Sequence, residues 1–238
     1  MEPLSCFADD RNKTWCIHCG GTLVSLKTNR DHVPTKKLLR TPYPNNLPVV
    51  EICAACNESF SLDEQYAVAF LSAVLSGSVD PQAQLHPAAA GILLKNEKLR
   101  VRIDKSRTSF RTISGETRHR WAPERERIDR VIVKNARGHA FYELGEPLLV
   151  PPKSVWLCPL VAMKPNERID FEVSGDGAAL WPEVGSRMLQ RAVAGLDLEG
   201  PWVVVQKDIY RYSVMEDDGI RVRSVVFDYL ATEVEWDA

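Results

Sequence analysis

Residues 56–75 read as one or two helices, where Tyr66, Ala69, Phe70 and Ala73 form an apolar stripe and Asp63 and Glu64 suit a first turn. Residues 88–99 read as a second helix. Residues 123–137 read as a third. Pro123 stands at its start, Glu124 and Glu126 in its first turn, Ile128, Val131, Ile132 and Ala136 on one face, and Gly138 just past its end. Residues 22–26 predict a short strand after the Gly20-Gly21 turn, and residues 35–48, with three prolines and Asn45-Asn46, predict a loop. Beyond residue 139 the pattern turns to strands, over 139–144, 154–163, 202–214 and 220–230, with a helix over 182–193 between them. There is no internal repeat and no low-complexity tract.

Composition places these elements in a globular chain. Of 238 residues, 45% are apolar and 26% charged, which excludes a mostly disordered or collagen-like protein. The N-terminus has neither the basic start nor the apolar run of a signal peptide, and the longest apolar stretch, 66–75, is far too short to span a membrane. A cytoplasmic address and no membrane partner are expected. The net charge of −2 argues by itself against a basic nucleic-acid coat. It is, however, a cancellation. Residues 1–94 carry −2, residues 95–137 carry +8 and residues 138–238 carry −8.

Four of the six cysteines stand in two pairs, Cys16-x-x-Cys19 and Cys53-x-x-Cys56, with 33 residues between the pairs. In a reducing compartment such pairs bind metal more often than they form disulfides. Two thiolates two residues apart can face one tetrahedral ion, and two such turns complete a closed site for structural Zn²⁺ with no open position for chemistry. Buried or redox cysteines are the competing reading. Cys6 and Cys158 have no partner at metal spacing and read as free thiols. His18, inside the first pair, reads as an exposed filler, and His86, His119 and His139 belong to no visible constellation.

Between and after the cysteine pairs the order is Asp31-His32-x-Pro34, Asn45-Asn46-Leu47, then Cys53-x-x-Cys56-Asn57. Over about residues 14–66 this resembles the HNH endonucleases. The resemblance implies an α+β fold: a zinc-stabilised ββα-metal (HNH) finger, followed by helices and a mainly β C-terminal region. It implies a finger domain over 1–76, a helical basic segment over 77–138 and a C-terminal module over 139–238. By the same resemblance His32 is the general base that activates water, since an imidazole can take a proton near neutral pH. Asp31 and Asn57 are catalytic ligands of one Mg²⁺ or Mn²⁺, hard oxygen donors suited to such an ion. Asn46, or Asn45 in its place, holds the loop and orients the base. Asp31 and His32 are adjacent, so a regular strand points them to opposite faces. After Asn57 the chain departs from the commonest pattern, with Glu58-Ser59-Phe60-Ser61-Leu62-Asp63-Glu64 where a basic residue is usual. It is similar there to a bacterial subgroup with a longer C-terminal region.

The expected function is metal-dependent hydrolysis of phosphodiester bonds in nucleic acid, DNA favoured. The alternative is a zinc-stabilised nucleic-acid- or protein-binding module with an inactive nuclease site. The basic segment 95–137 supplies cations for a polyanion, and its interleaved Phe110 and Trp121 suit base stacking on a single strand. The competing use of that charge is pairing with the acidic C-terminal third. The C-terminal region, with tryptophans at 156, 181, 202 and 236, shows no catalytic motif. Substrate selection, a protein partner or homodimerisation are the roles open to it.

Overall fold

The computed structural model describes residues 12–173, 187, 191, 193 and 197–237. The chain forms two compact units, one of residues 1–58 with 132–238 and one of residues 59–131. The architecture is mixed α and β. Among the described residues no helix is long and apolar enough to cross a membrane.

In the first unit, β1 (Thr28–His32) pairs antiparallel with β2 (Val49–Cys53), Thr28 opposite Cys53 and His32 opposite Val49. Period-two alternation turns Val50 and Ile52 inward, where they pack with Ile17, Val33 and Phe141. Helix α1 (Ala54–Ser76) starts on the residue after β2, and the Ala54 N–H is held by the Lys27 carbonyl at 2.7 Å. The predicted strand over 22–26 is not one. Thr22 makes a single bridge to Trp15, and Leu23–Ser25 is a 3-10 turn.

The second unit holds the rest of α1, α2 (Pro87–Lys95), α3 (Glu97–Lys105) and an antiparallel hairpin of β3 (Arg107–Arg111) and β4 (Thr117–Trp121). The single helix expected over 88–99 breaks at Asn96. Its N–H closes α2 on the Ile92 carbonyl, and its side chain accepts from Leu99 N–H at 3.0 Å to open α3. Asp63 does not open a helix. It is buried in the middle of α1 and takes Arg127 at 2.6 Å and Arg130 at 2.5 Å. Part of the basic segment is thus spent on internal pairing.

Helix α4 (Arg125–Leu144) passes from the second unit into the first. It does not stop at Gly138, and residues 139–144 continue it in place of the predicted strand. Gly138 serves close approach. A Cβ there would lie 2.6 Å from Val33 Cγ2, so only glycine lets the helix pass this side chain.

The remainder is a six-stranded antiparallel sheet in the order β5-β10-β9-β8-β7-β6, with β5 (Ser154–Pro159), β6 (Leu198–Glu199), β7 (Trp202–Gln206), β8 (Tyr210–Asp217), β9 (Gly219–Val226) and β10 (Leu230–Asp237). The predicted strands 202–214 and 220–230 each divide at a turn. At the β9–β10 turn Phe227 and Asp228 both take positive φ, which suits a tight hairpin. One cluster packs Trp202, Val225 and Ala231 against Leu160 and Phe171, the latter on α5 (Pro165–Val173). His139 of α4 stacks on Tyr212 with 3.6 Å between ring centroids. The helix expected over 182–193 and Cys6 lie mostly or wholly outside the described residues.

Candidate functional site

Cys16, Cys19, Cys53 and Cys56 converge, with all four sulfurs within 4.8 Å of one another. Each pair forms a tight turn. Gly20, at φ 71°, lets its N–H reach the Cys16 carbonyl at 2.8 Å, and the Cys56 N–H points at Cys53 Sγ at 3.4 Å. Burial pushes the Cys56 thiol up, and the neighbouring thiols add to this. Burial also acts to raise Cys16, but backbone N–H groups of Cys53, His18 and Cys19 outweigh it and favour its thiolate. The guanidinium of Arg137 donates to the His18 and Val150 carbonyls at 3.1 and 2.9 Å, close enough to the Cys16 and Cys56 sulfurs for charge interaction. Four convergent sulfurs with backbone donors and a nearby cation fit a tetrahedral ion such as Zn²⁺.

The ends of β1 and β2 carry the other candidates. Asp31 is the inward residue. Its Oδ1 accepts from the Lys134 ammonium at 2.7 Å, with side-chain exposures of 9% and 1%. The His18 imidazole, 3% exposed, lies 3.8 Å from Oδ2. His18 is therefore no exposed filler. Burial by itself would raise the Asp31 pKa, but His18 and the Lys134 charge overcome it and hold the carboxyl below its usual range. His32, the next residue, is half-buried. Burial, then the charge of Lys36, hold its imidazole below its usual pKa against the pull of Asp31. This favours the neutral ring, the form a base requires.

Asn46 does not reach His32. Its amide donates to Asp197 Oδ2 at 2.9 Å. Asn45 is exposed in the same loop. Asn57 lies in the first turn of α1, half-buried, with no side-chain hydrogen bond to a described residue. No hydrogen bond or ion pair joins Asp31, His32, Asn46 and Asn57 to one another. As it stands, the Asp31 carboxylate fits the Lys134 ammonium and not a divalent ion, which would have to share or displace that cation.

Sequence reasoning missed five residues around this site. Lys134 was counted with the basic segment, yet it stands three residues after Val131 and four before Gly138, on the buried stripe of α4. That phase was the available signal. His18 had a milder one, a polar residue in a knuckle whose neighbour Ile17 is buried. Asp197 and Gln206 had none. Gln206 accepts from the Arg40 N–H at 2.8 Å and donates to the Arg40 carbonyl at 2.9 Å. With Asp197, the residue before β6, on Asn46 and Gln206 of β7 on Arg40, the C-terminal region holds the loop that follows His32 at two points. At the start of that loop, Asn135 of α4 accepts from the Thr35 N–H at 3.0 Å.

Compared with known proteins, the chain matches no family model, no curated protein and no solved structure.

Proposed function

We propose that the chain is an HNH-type nucleic-acid phosphodiester hydrolase, with His32 as general base and the four-cysteine site as a zinc brace. The observation that carries this reading is the order of parts around one hairpin. Asp31-His32 close β1, the cysteine pair Cys53/Cys56 spans the junction of β2 and α1, and Asn57 follows on the first helical turn. A closed four-sulfur ion ties the segment before β1 to the start of α1, so it fixes geometry and leaves the chemistry to side chains.

His32 would take a proton from water as its oxygen attacks phosphorus. The bond from phosphorus to the 3′ oxygen would break, its electron pair leaving with that oxygen, which takes a proton from solvent water, to give a 3′-hydroxyl and a 5′-phosphate. Burial, with the charge of Lys36 added, favours the neutral ring, and Lys36 offers a cation for the phosphate oxygens. The resemblance carries an expectation of Mg²⁺ or Mn²⁺ dependence, and the half-buried amide of Asn57, with no side-chain hydrogen bond to a described residue, offers an oxygen donor. Asp31 is engaged by Lys134 and is assigned here the role of anchoring the end of β1.

That same ion pair favours a second reading, a zinc-stabilised binding module without cleavage. Nicking of supercoiled and linear DNA, with RNA in parallel and Mg²⁺ or Mn²⁺ added, separates the two. Cleavage lost in His32→Ala at unchanged zinc content supports the hydrolase. Binding without cleavage under every metal supports the module.

A further inference from the structure

The hairpin β3–β4 has no dry face. Nearly every residue of both strands is exposed, Phe110 at 51%, and Ile113 at the tip is fully exposed. A two-stranded ribbon that buries so little adds almost nothing to stability. It is nonetheless well formed. Five cross-strand pairs run from Arg107 opposite Trp121 to Arg111 opposite Thr117. The tip is closed by the Thr112 N–H on the Glu116 carbonyl at 2.8 Å and by Gly115, at φ 84°, whose N–H donates to the Thr112 carbonyl at 2.9 Å. The base is fixed by Arg107 on Asp104 at 3.0 Å and by the Ala122 N–H on the Ser106 carbonyl at 3.1 Å.

The charge on this ribbon is two-sided. Residues opposite one another share a face. Arg107, His119 and Arg111 therefore line one face, and Arg118 and Arg120 the other. Arg107 and Arg118 have acidic partners, Asp104 and Glu116. Arg111 and Arg120, one on each face, have none among the described residues. Phe110 lies on the face of Arg118 and Arg120 and Trp121 on that of Arg107, so the two aromatics do not form one continuous surface for stacked bases. A ribbon with unneutralised arginines on both faces suits a slot walled by phosphates on both sides. The major groove of B-form DNA, about 12 Å wide, admits a two-stranded ribbon, whereas that of A-form RNA is too narrow and deep for side chains to read.

We infer that β3–β4 is a duplex-DNA-binding arm that inserts into the major groove, with Arg111 and Arg120 on opposite phosphate walls. It rests on the hydrolase reading only for the class of partner, and it is tested by binding, without cleavage. Zinc-loaded full-length protein is titrated with short fluorescent DNA duplexes, the matching single strand and an RNA duplex, without added divalent ion, between about 50 and 200 mM salt. DNA duplex is bound tightest. In Arg111→Gln/Arg120→Gln the slope of log affinity against log salt becomes shallower by about 1.8, two phosphate contacts at about 0.9 each. Arg111→Lys/Arg120→Lys restores the slope, which separates charge from any folding defect. An unchanged slope in the Gln variant, or tighter binding of the single strand or RNA, overturns the arm. Intact arm binding by a chain that cleaves nothing removes the hydrolase reading and leaves the arm standing.

Discussion

The Lys134 ammonium on α4 sits 2.7 Å from the Asp31 carboxylate at the end of β1, with both groups buried. Removing one member strands the other charge out of water. Lys134→Ala is expected to cost about 3–5 kcal/mol in urea unfolding. Adding Asp31→Asn to that variant should recover part of the loss. The folded Asp31 carboxyl titrates below its unfolded value near pH 4, so this stabilisation is present above about pH 4 and fades as pH falls through the folded value. Additive losses in the double variant would contradict the pairing.

Gly138 is a further point at which α4 meets the motif region. Gly138→Ala places a methyl 2.6 Å from Val33 Cγ2, and Val33 is buried. Overpacking of this kind costs about 1–3 kcal/mol. Val33→Ala in the same chain should relieve some of it, a coupling that a double-mutant cycle measures directly. Gly138→Ala at no cost would mean that the helix tolerates displacement there.

His139 makes stability depend on acid. Burial, with the Arg191 charge, holds its pKa well below the usual histidine value, and its Nε2 meets the Tyr210 hydroxyl at 3.0 Å. The folded chain keeps it neutral while the unfolded chain protonates near pH 6.5. Its contribution is complete above about pH 6.5 and is lost as pH falls, by up to about 1.4 kcal/mol per pH unit. His139→Gln should flatten the profile between about pH 6 and 5. The same slope in the variant would assign the acid sensitivity elsewhere.

The grip of the C-terminal region on the motif loop is also measurable. In Asp197→Ala/Gln206→Ala the bonds to Asn46 and Arg40 disappear. Amide exchange across residues 38–47 should accelerate, while β9 and β10 stay protected. Equal acceleration everywhere would point to global destabilisation.

These contacts also show what a sequence can and cannot reveal. The cysteine pairs were legible because two-residue spacing serves one ion, and α1 because its apolar stripe is long. The β3–β4 ribbon was not, since a strand wet on both faces has no period-two signal and reads as charge alone. Residues 139–144 are rich in aromatic and apolar side chains and read as a strand after Gly138, yet they continue α4, since Gly138 serves the close approach of Val33 and does not end the helix. The hydrogen-bond partners Lys134 of Asp31 and Asp197 of Asn46 lie 103 and 151 residues away, and no local pattern announces them.

The most direct measurement is divalent-ion-dependent nicking of supercoiled DNA by the wild type and His32→Ala at matched zinc content. A general base contributes about 10²–10⁴ in rate. The wild type should cut, and the variant should be at least about a hundredfold slower while still folded and zinc-loaded. Full activity in His32→Ala, or no cutting by the wild type with Mg²⁺ or Mn²⁺, would contradict the assignment.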